Sequence, residues 1–242
     1  MSTKASLSKK WPLNSAYRER FRVEDLIPQI ALGHELTAVF IGESPHRDEV
    51  ASENAAERSP FRGTAGREWW QELSQFQATS LPVKPVPDRM RLLQICSELQ
   101  IGVMNAVQFP IDPKICLHQG NESDPYLYLG FEKSAGIKGY KAIFKQNIDI
   151  NPVLNSLEDL RARLSVFDKM PVQLVCLGND SRWFVEHALK GFEGSPLTQK
   201  PLLTIPHPSA WWRKAEFRSR SVALLNELLA QRPVQGNRRA TA

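Results

Sequence analysis

Long apolar runs are missing from this chain. No stretch of about 18 apolar residues is present to span a bilayer. The basic opening residues, Met1 to Lys10, are followed by no apolar stretch of signal-peptide type. A cytoplasmic location is the expectation. Cysteine is scarce: Cys96, Cys116 and Cys176 stand far apart and are odd in number. They suit a reducing compartment and form no metal-binding spacing, so no iron–sulfur cluster, structural zinc or other cofactor is expected. There is no internal repeat. A chain of 242 residues can bury one sizeable core, so one domain with appendages is expected.

Charge is present in one place. The net charge is +5, and from Arg213 to Ala242 seven basic residues face two acidic ones, Glu216 and Glu227, so the whole excess sits in that stretch. A polyanion approaching there would meet it. The alternative is a solvated helix face followed by a basic tail.

Short apolar runs at Leu36 to Ile41, Gly102 to Phe109, Val172 to Leu177 and Leu202 to Ile205 read as strands. Helical patterns fall at Gly66 to Phe76, Arg89 to Leu99, Pro152 to Ser165, Ser181 to Leu189 and Ala215 to Leu229. Alternating strands and helices predict an α/β fold: three layers, α/β/α, around a mostly parallel four-stranded sheet. Trp11 to Ile30 reads as helical, so residues 1–35 form an N-terminal helical cap. Residues 36–231 form the main domain, with an aromatic insertion at 116–150. The remainder, 232–242, reads as a disordered basic tail. The long polar loop from Gly42 to Thr64 is unusual inside a compact domain and is suspected of function.

Polar motifs follow the strands. They are Gly42-Glu43-Ser44-Pro45, Pro60-Phe61-Arg62-Gly63-Thr64-Ala65-Gly66, Asn105-Ala106-Val107, Leu177-Gly178 and His207-Pro208-Ser209. In parallel α/β sheets, the C-terminal edge of the strands is where ligands bind. Proline on either side of His207 stiffens its loop.

These motifs, in this order, resemble the uracil-DNA glycosylase superfamily. The nearest branch is one with a Gly-Glu-Ala-Pro-Gly first motif and a Pro-Phe-Val-Gly-x-Ala-Gly second motif. The resemblance runs from about Leu36 to Leu229. It implies that Glu43 positions water or stabilises a cationic sugar. It implies that His207 donates to the anionic base. Phe61 would be the ring on which a flipped base stacks, and Asn105 the reader of its polar edge. Ser44 and Ser209 would clasp phosphates flanking that base. Trp211, Trp212, Arg213 and Lys214 stand where the superfamily carries a loop that wedges into DNA. One of the two tryptophans is expected in the core and the other exposed.

The chain also departs from that branch. It lacks the cluster-binding cysteines. His46 stands where the branch has Gly and the best-known uracil enzymes have Tyr, a position bordering C5 of the base. The aromatic insertion is extra. The expected activity is therefore monofunctional hydrolysis of the N-glycosidic bond of uracil or a related damaged or modified base in DNA, by a monomer. A glycosylase for hypermodified pyrimidines of phage DNA, acting in antiviral defence, is one alternative. A non-catalytic nucleic-acid-binding relative is another.

Overall fold

Period-two alternation in the strands sorts the core into two layers. Ala38 and Phe40 of β1 (Ala38–Gly42) pack with one set of helices, while Val39 and Ile41 pack with another. The computed structural model describes residues 16–29, 36–76, 88–112, 126, 136–211 and 213–230. The other strands are β2 (Ile101–Asn105), β3 (Gln173–Leu177) and β4 (Leu203–Ile205). All four run parallel in the order β2-β1-β3-β4. Every residue of β1, β2 and β3 is buried, as expected for a parallel sheet covered on both faces.

On the first face lie α2 (Thr64–Ser74), α3 (Arg89–Leu99) and α7 (Ala215–Ala230). They contribute Trp69, Trp70, Leu73, Leu92, Ile95 and Leu225 to the core. On the second face lie α4 (Ile137–Phe144), α5 (Pro152–Leu164) and α6 (Asn179–Ala188), with the short α1 (Ala16–Arg20). They contribute Tyr17, Tyr140, Leu157, Leu160, Phe184 and Val185. The architecture is three-layer α/β/α. Among the described residues, no helix is long and apolar enough to cross a membrane.

The N-terminal region differs from the expected helical cap. Within residues 16–29 the helix ends at Arg20, and the chain then runs extended. Leu26 exchanges two backbone hydrogen bonds with Val103, at 2.8 and 3.0 Å, and Val23 N donates to Gln108 O at 2.7 Å. The unpaired edge of β2 supplies partners for these groups, and that edge outweighs the helical pattern. The second strand also ends earlier than expected. Ala106 N and Val107 N bend across to Gly42 O and Glu43 O, both at 2.8 Å. Of the 116–150 insertion, Tyr126 and residues 136–150 are described, and α4 belongs to it. Residues 232–242 lie outside the described residues.

One ion network fixes the β2 exit. Arg163 on α5 donates to Asn105 O at 2.9 Å and Ala106 O at 2.8 Å. The same guanidinium pairs with Asp25 at 3.2 Å and Asp159 at 2.9 Å, and all three side chains are no more than 15% exposed. Arg18 pairs with the same Asp159. Removing the cation leaves the buried Asp25 carboxylate without its charge partner, leaves Asp159 with Arg18 alone and strands two carbonyls. Arg163→Met is expected to destabilise the fold by roughly 3–5 kcal/mol, measured by urea denaturation. A change below about 1 kcal/mol would show that the network does not hold this corner.

Candidate active site

The exits of β1, β3 and β4 open onto one cavity of about 480 Å3. Its wall is built from the loop after β1 (Glu43 to Glu49), from Phe61 to Glu68, from Gly178 to Asp180 after β3, and from His207 and Ser209 after β4. Asp112, beyond β2, closes the remaining side.

Phe61 is the most constrained residue of the wall. Its φ of +62° lies in the left-handed region, which costs a residue with a Cβ on the order of 1–2 kcal/mol. Several contacts hold it there. Trp70 Nε1 donates to its carbonyl at 3.1 Å. Gly66 packs so closely that a Cβ there would lie 1.5 Å from that same carbonyl oxygen. Gly42 faces the ring itself: a Cβ there would lie 2.6 Å from both Phe61 Cζ and Asn105 Oδ1. Trp69 and His207 flank the ring, at centroid distances of 6.1 and 6.2 Å.

His207 has a fixed tautomer. The backbone N–H of Ser209 donates to its Nδ1 at 3.2 Å, so Nδ1 is an acceptor and carries no proton. The Ser209 hydroxyl lies 2.8 Å from the same nitrogen. The neutral ring therefore carries its proton on Nε2 and presents a donor without needing a positive charge. Ser209 is drawn into orienting His207, a different task from the phosphate contact expected of it.

Two of the carboxyl groups that line the cavity stand in contrasting settings. Glu43 is half-buried and accepts a hydrogen bond from the Tyr140 hydroxyl. Burial first, then the neighbouring Glu43, push the Tyr140 phenol well above its usual range, so it stays a donor. Glu49 is 6% exposed. Burial raises its pKa from the ordinary 4.5 to about 8, against the backbone N–H groups of His46 and Phe61 and the Asn105 amide, which favour the anion. At neutral pH Glu49 is mostly an uncharged carboxyl, with one donor and one acceptor. Among the described residues, no group of three or more His, Cys, Asp or Glu side chains could hold a metal ion.

The residues singled out from sequence separate into three groups. Glu43, Ser44, His46, Phe61, His207 and Ser209 all line the cavity. Asn105 does not: it is 2% exposed and lies behind the wall, its Nδ2 donating to Glu49 Oε2 at 3.4 Å. Of the wedge residues, Trp211 is 2% exposed, packs on Trp69 at 6.2 Å and donates from Nε1 to Pro206 O. It is the inward tryptophan and is not placed to touch DNA. Trp212 lies outside the described residues. Arg213 and Lys214 are exposed on the turn into α7, outside the cavity wall. Sequence reasoning gave Glu49 no role beyond that of a substitute for Glu43, and it missed Tyr140, Asp112 and Asp180. Glu49 sits on the suspect polar loop, six residues past Glu43, and carried that much signal. Tyr140 had none beyond its place in an unexplained aromatic segment.

No protein-family model matches the chain, and no curated protein matches it.

The setting of Glu49 has a thermodynamic consequence. Its folded pKa lies above its unfolded one, so its contribution to stability is complete below pH 4.5 and is lost as pH climbs to about 8. Glu49→Gln cannot ionise. Its stability relative to the native protein should rise by on the order of 3 kcal/mol between pH 5 and pH 8.5, read from denaturation midpoints across that range. A difference that stays constant with pH would mean that Glu49 ionises normally.

Proposed function

We propose that this chain is a monofunctional DNA glycosylase. It would extrude a nucleotide from DNA, hold the base in the cavity and hydrolyse its N-glycosidic bond, leaving an abasic site. The observation that carries the reading is the meeting of Glu43, Phe61 and His207 in one cavity, each delivered by a different segment. Heterolysis of a glycosidic bond places positive charge on the sugar and negative charge on the base. A neutral imidazole donating from Nε2 suits the base oxygen. A carboxylate across the cavity suits the sugar cation and the incoming water. The Phe61 ring gives a base a face to stack on. An uncharged Glu49, backed by Asn105, can match a base edge that has both a donor and an acceptor, and it adds no charge against the departing anion. No lysine lines the cavity among the described residues, so water is the nucleophile in this reading. Outside the cavity, the exposed Arg213, Lys214 and Arg220 offer partners for the DNA phosphates.

One observation favours a modified pyrimidine over plain uracil. The wall also carries Glu68, Asp112 and Asp180, and among the described residues no arginine or lysine lines it. Carboxylates accept hydrogen bonds from hydroxyl or ammonium groups, so this lining suits a base whose 5-substituent carries such donors.

The test is a panel of duplexes carrying uracil, hypoxanthine, xanthine, 5-hydroxymethyl-pyrimidines and 5-aminoalkyl-uracil, scored for alkali-labile abasic sites. Cleavage of at least one base is expected, without strand scission before alkali. Faster cleavage of the 5-substituted bases than of uracil would support the modified-pyrimidine reading. On the preferred duplex, His207→Ala should slow the single-turnover rate by about two to three decades while affinity for the duplex holds. No abasic sites on any duplex would sink the proposal.

A further inference from the structure

Among the described residues, the aromatic insertion touches Glu43 of the cavity wall through Tyr140. Tyr140 lies on α4, within the 116–150 segment by which this chain departs from the motif pattern. Its ring is fully buried and cannot turn freely. It packs on Trp183 and Phe184 of α6, at centroid distances of 5.8 and 5.1 Å. α6 itself begins directly after β3, at the cavity edge. The phenol is thus anchored to the sheet at one remove, and it spends its hydroxyl on Glu43 Oε1.

We propose that Tyr140 is a positioning residue for Glu43, supplied by the insertion. It would fix the carboxylate's orientation and favour its anionic form by donating one hydrogen bond. This rests on the glycosylase reading and deepens it: the extra segment completes the reacting carboxylate. Glu43 sits on a mobile type of side chain with three rotatable bonds, on a loop. A donor held by a packed ring removes that freedom. A phenol is suited to the task, because it donates strongly to a carboxylate and carries no charge of its own. The other titratable groups sharing the cavity with Glu43 are His46 and Glu49 on its own loop, Glu68 on α2, Asp112 after β2, Asp180 on α6 and His207 after β4. Glu68, Asp112 and Asp180 raise the cost of a further negative charge, while Glu49 is mostly uncharged, so a neutral donor has more to offset.

Without the donor, the Glu43 carboxylate is less favoured, so it takes up a proton at higher pH. Tyr140→Phe should shift the acid limb of the single-turnover rate upward by about one to two pH units, the scale of one hydrogen bond to a charged group. The rate at low pH should fall more than the rate at high pH, and duplex affinity measured by fluorescence anisotropy should hold. Replacing Tyr140 by 3-fluorotyrosine makes the phenol a stronger donor in an almost unchanged shape, so it should move the limb downward. That variant carries the test if Tyr140→Phe fails to fold. An unmoved acid limb in a folded variant, or a loss uniform across pH, would overturn the proposal. The glycosylase reading is separable from it. If the native protein cleaves no duplex of the panel, carbon-13 NMR titration of the Glu43 carboxyl, assigned through Glu43→Gln, still decides the matter: equal midpoints with and without the Tyr140 hydroxyl would refute the contact's role.

Discussion

The close approach of Phe61 to Gly42 is the constraint on which the rest of the site depends. A ring can lie over the end of a β-strand only where that strand carries no side chain. Gly42 is the last residue of β1, and its parallel register partner is Asn105. The ring, the strand end and the amide therefore meet at one point, with no room for a single added carbon. To reach that point, the Phe61 backbone adopts a left-handed conformation that is unfavourable for it. Trp70 and the notch at Gly66 secure the strained carbonyl. The cost is local, and the return is a rigid aromatic surface that does not need to be assembled when a ligand arrives.

Electrostatic design follows from this geometry. The segment that carries Phe61 closes over Glu49, and its backbone N–H faces the Glu49 carboxyl. Burial then keeps that carboxyl largely uncharged near neutral pH. Glu43, six residues earlier on the same loop, is half-buried and accepts from a phenol. One short segment thus offers two carboxyl groups for two tasks, separated by environment rather than by residue type. Arg213, Lys214 and Arg220 are exposed outside the cavity wall, while acids line the cavity itself.

The supporting frame is polar as well as apolar. Arg163 bridges the β2 exit to Asp25 on the extended N-terminal segment, and Asp159 ties it to Arg18 on α1. The antiparallel bridge at Leu26 covers the open edge of β2 from the same segment. The N-terminal region therefore acts as an edge cover and a clamp on the Asn105 loop. A buried ion network of this kind adds little net stability over apolar packing, but it demands one arrangement of the loop it holds.

Sequence by itself determined the layers, because period-two and helical patterns are local consequences of burial. α3 begins and ends where its pattern does, from Arg89 to Leu99; the four strands and α2, α5, α6 and α7 differ by a few residues at their ends, whereas α4 had no helical reading and α1 is far shorter than its pattern. It also determined that Glu43 and His207 lie at strand exits, since a motif directly after a parallel strand has one edge to occupy, whereas Phe61 comes to that edge from 19 residues beyond β1. Tertiary structure alone decided what those residues touch. The Nδ1–Ser209 contact that fixes the His207 tautomer depends on the turn geometry. The retreat of Asn105 behind Glu49, and the inward placement of Trp211, depend on which space neighbouring helices leave unfilled. Tyr140 is 97 residues from Glu43 along the chain, and nothing in the spacing of either residue announces the other. Contacts over such distances are set by packing between helices, and packing is a property of the whole fold.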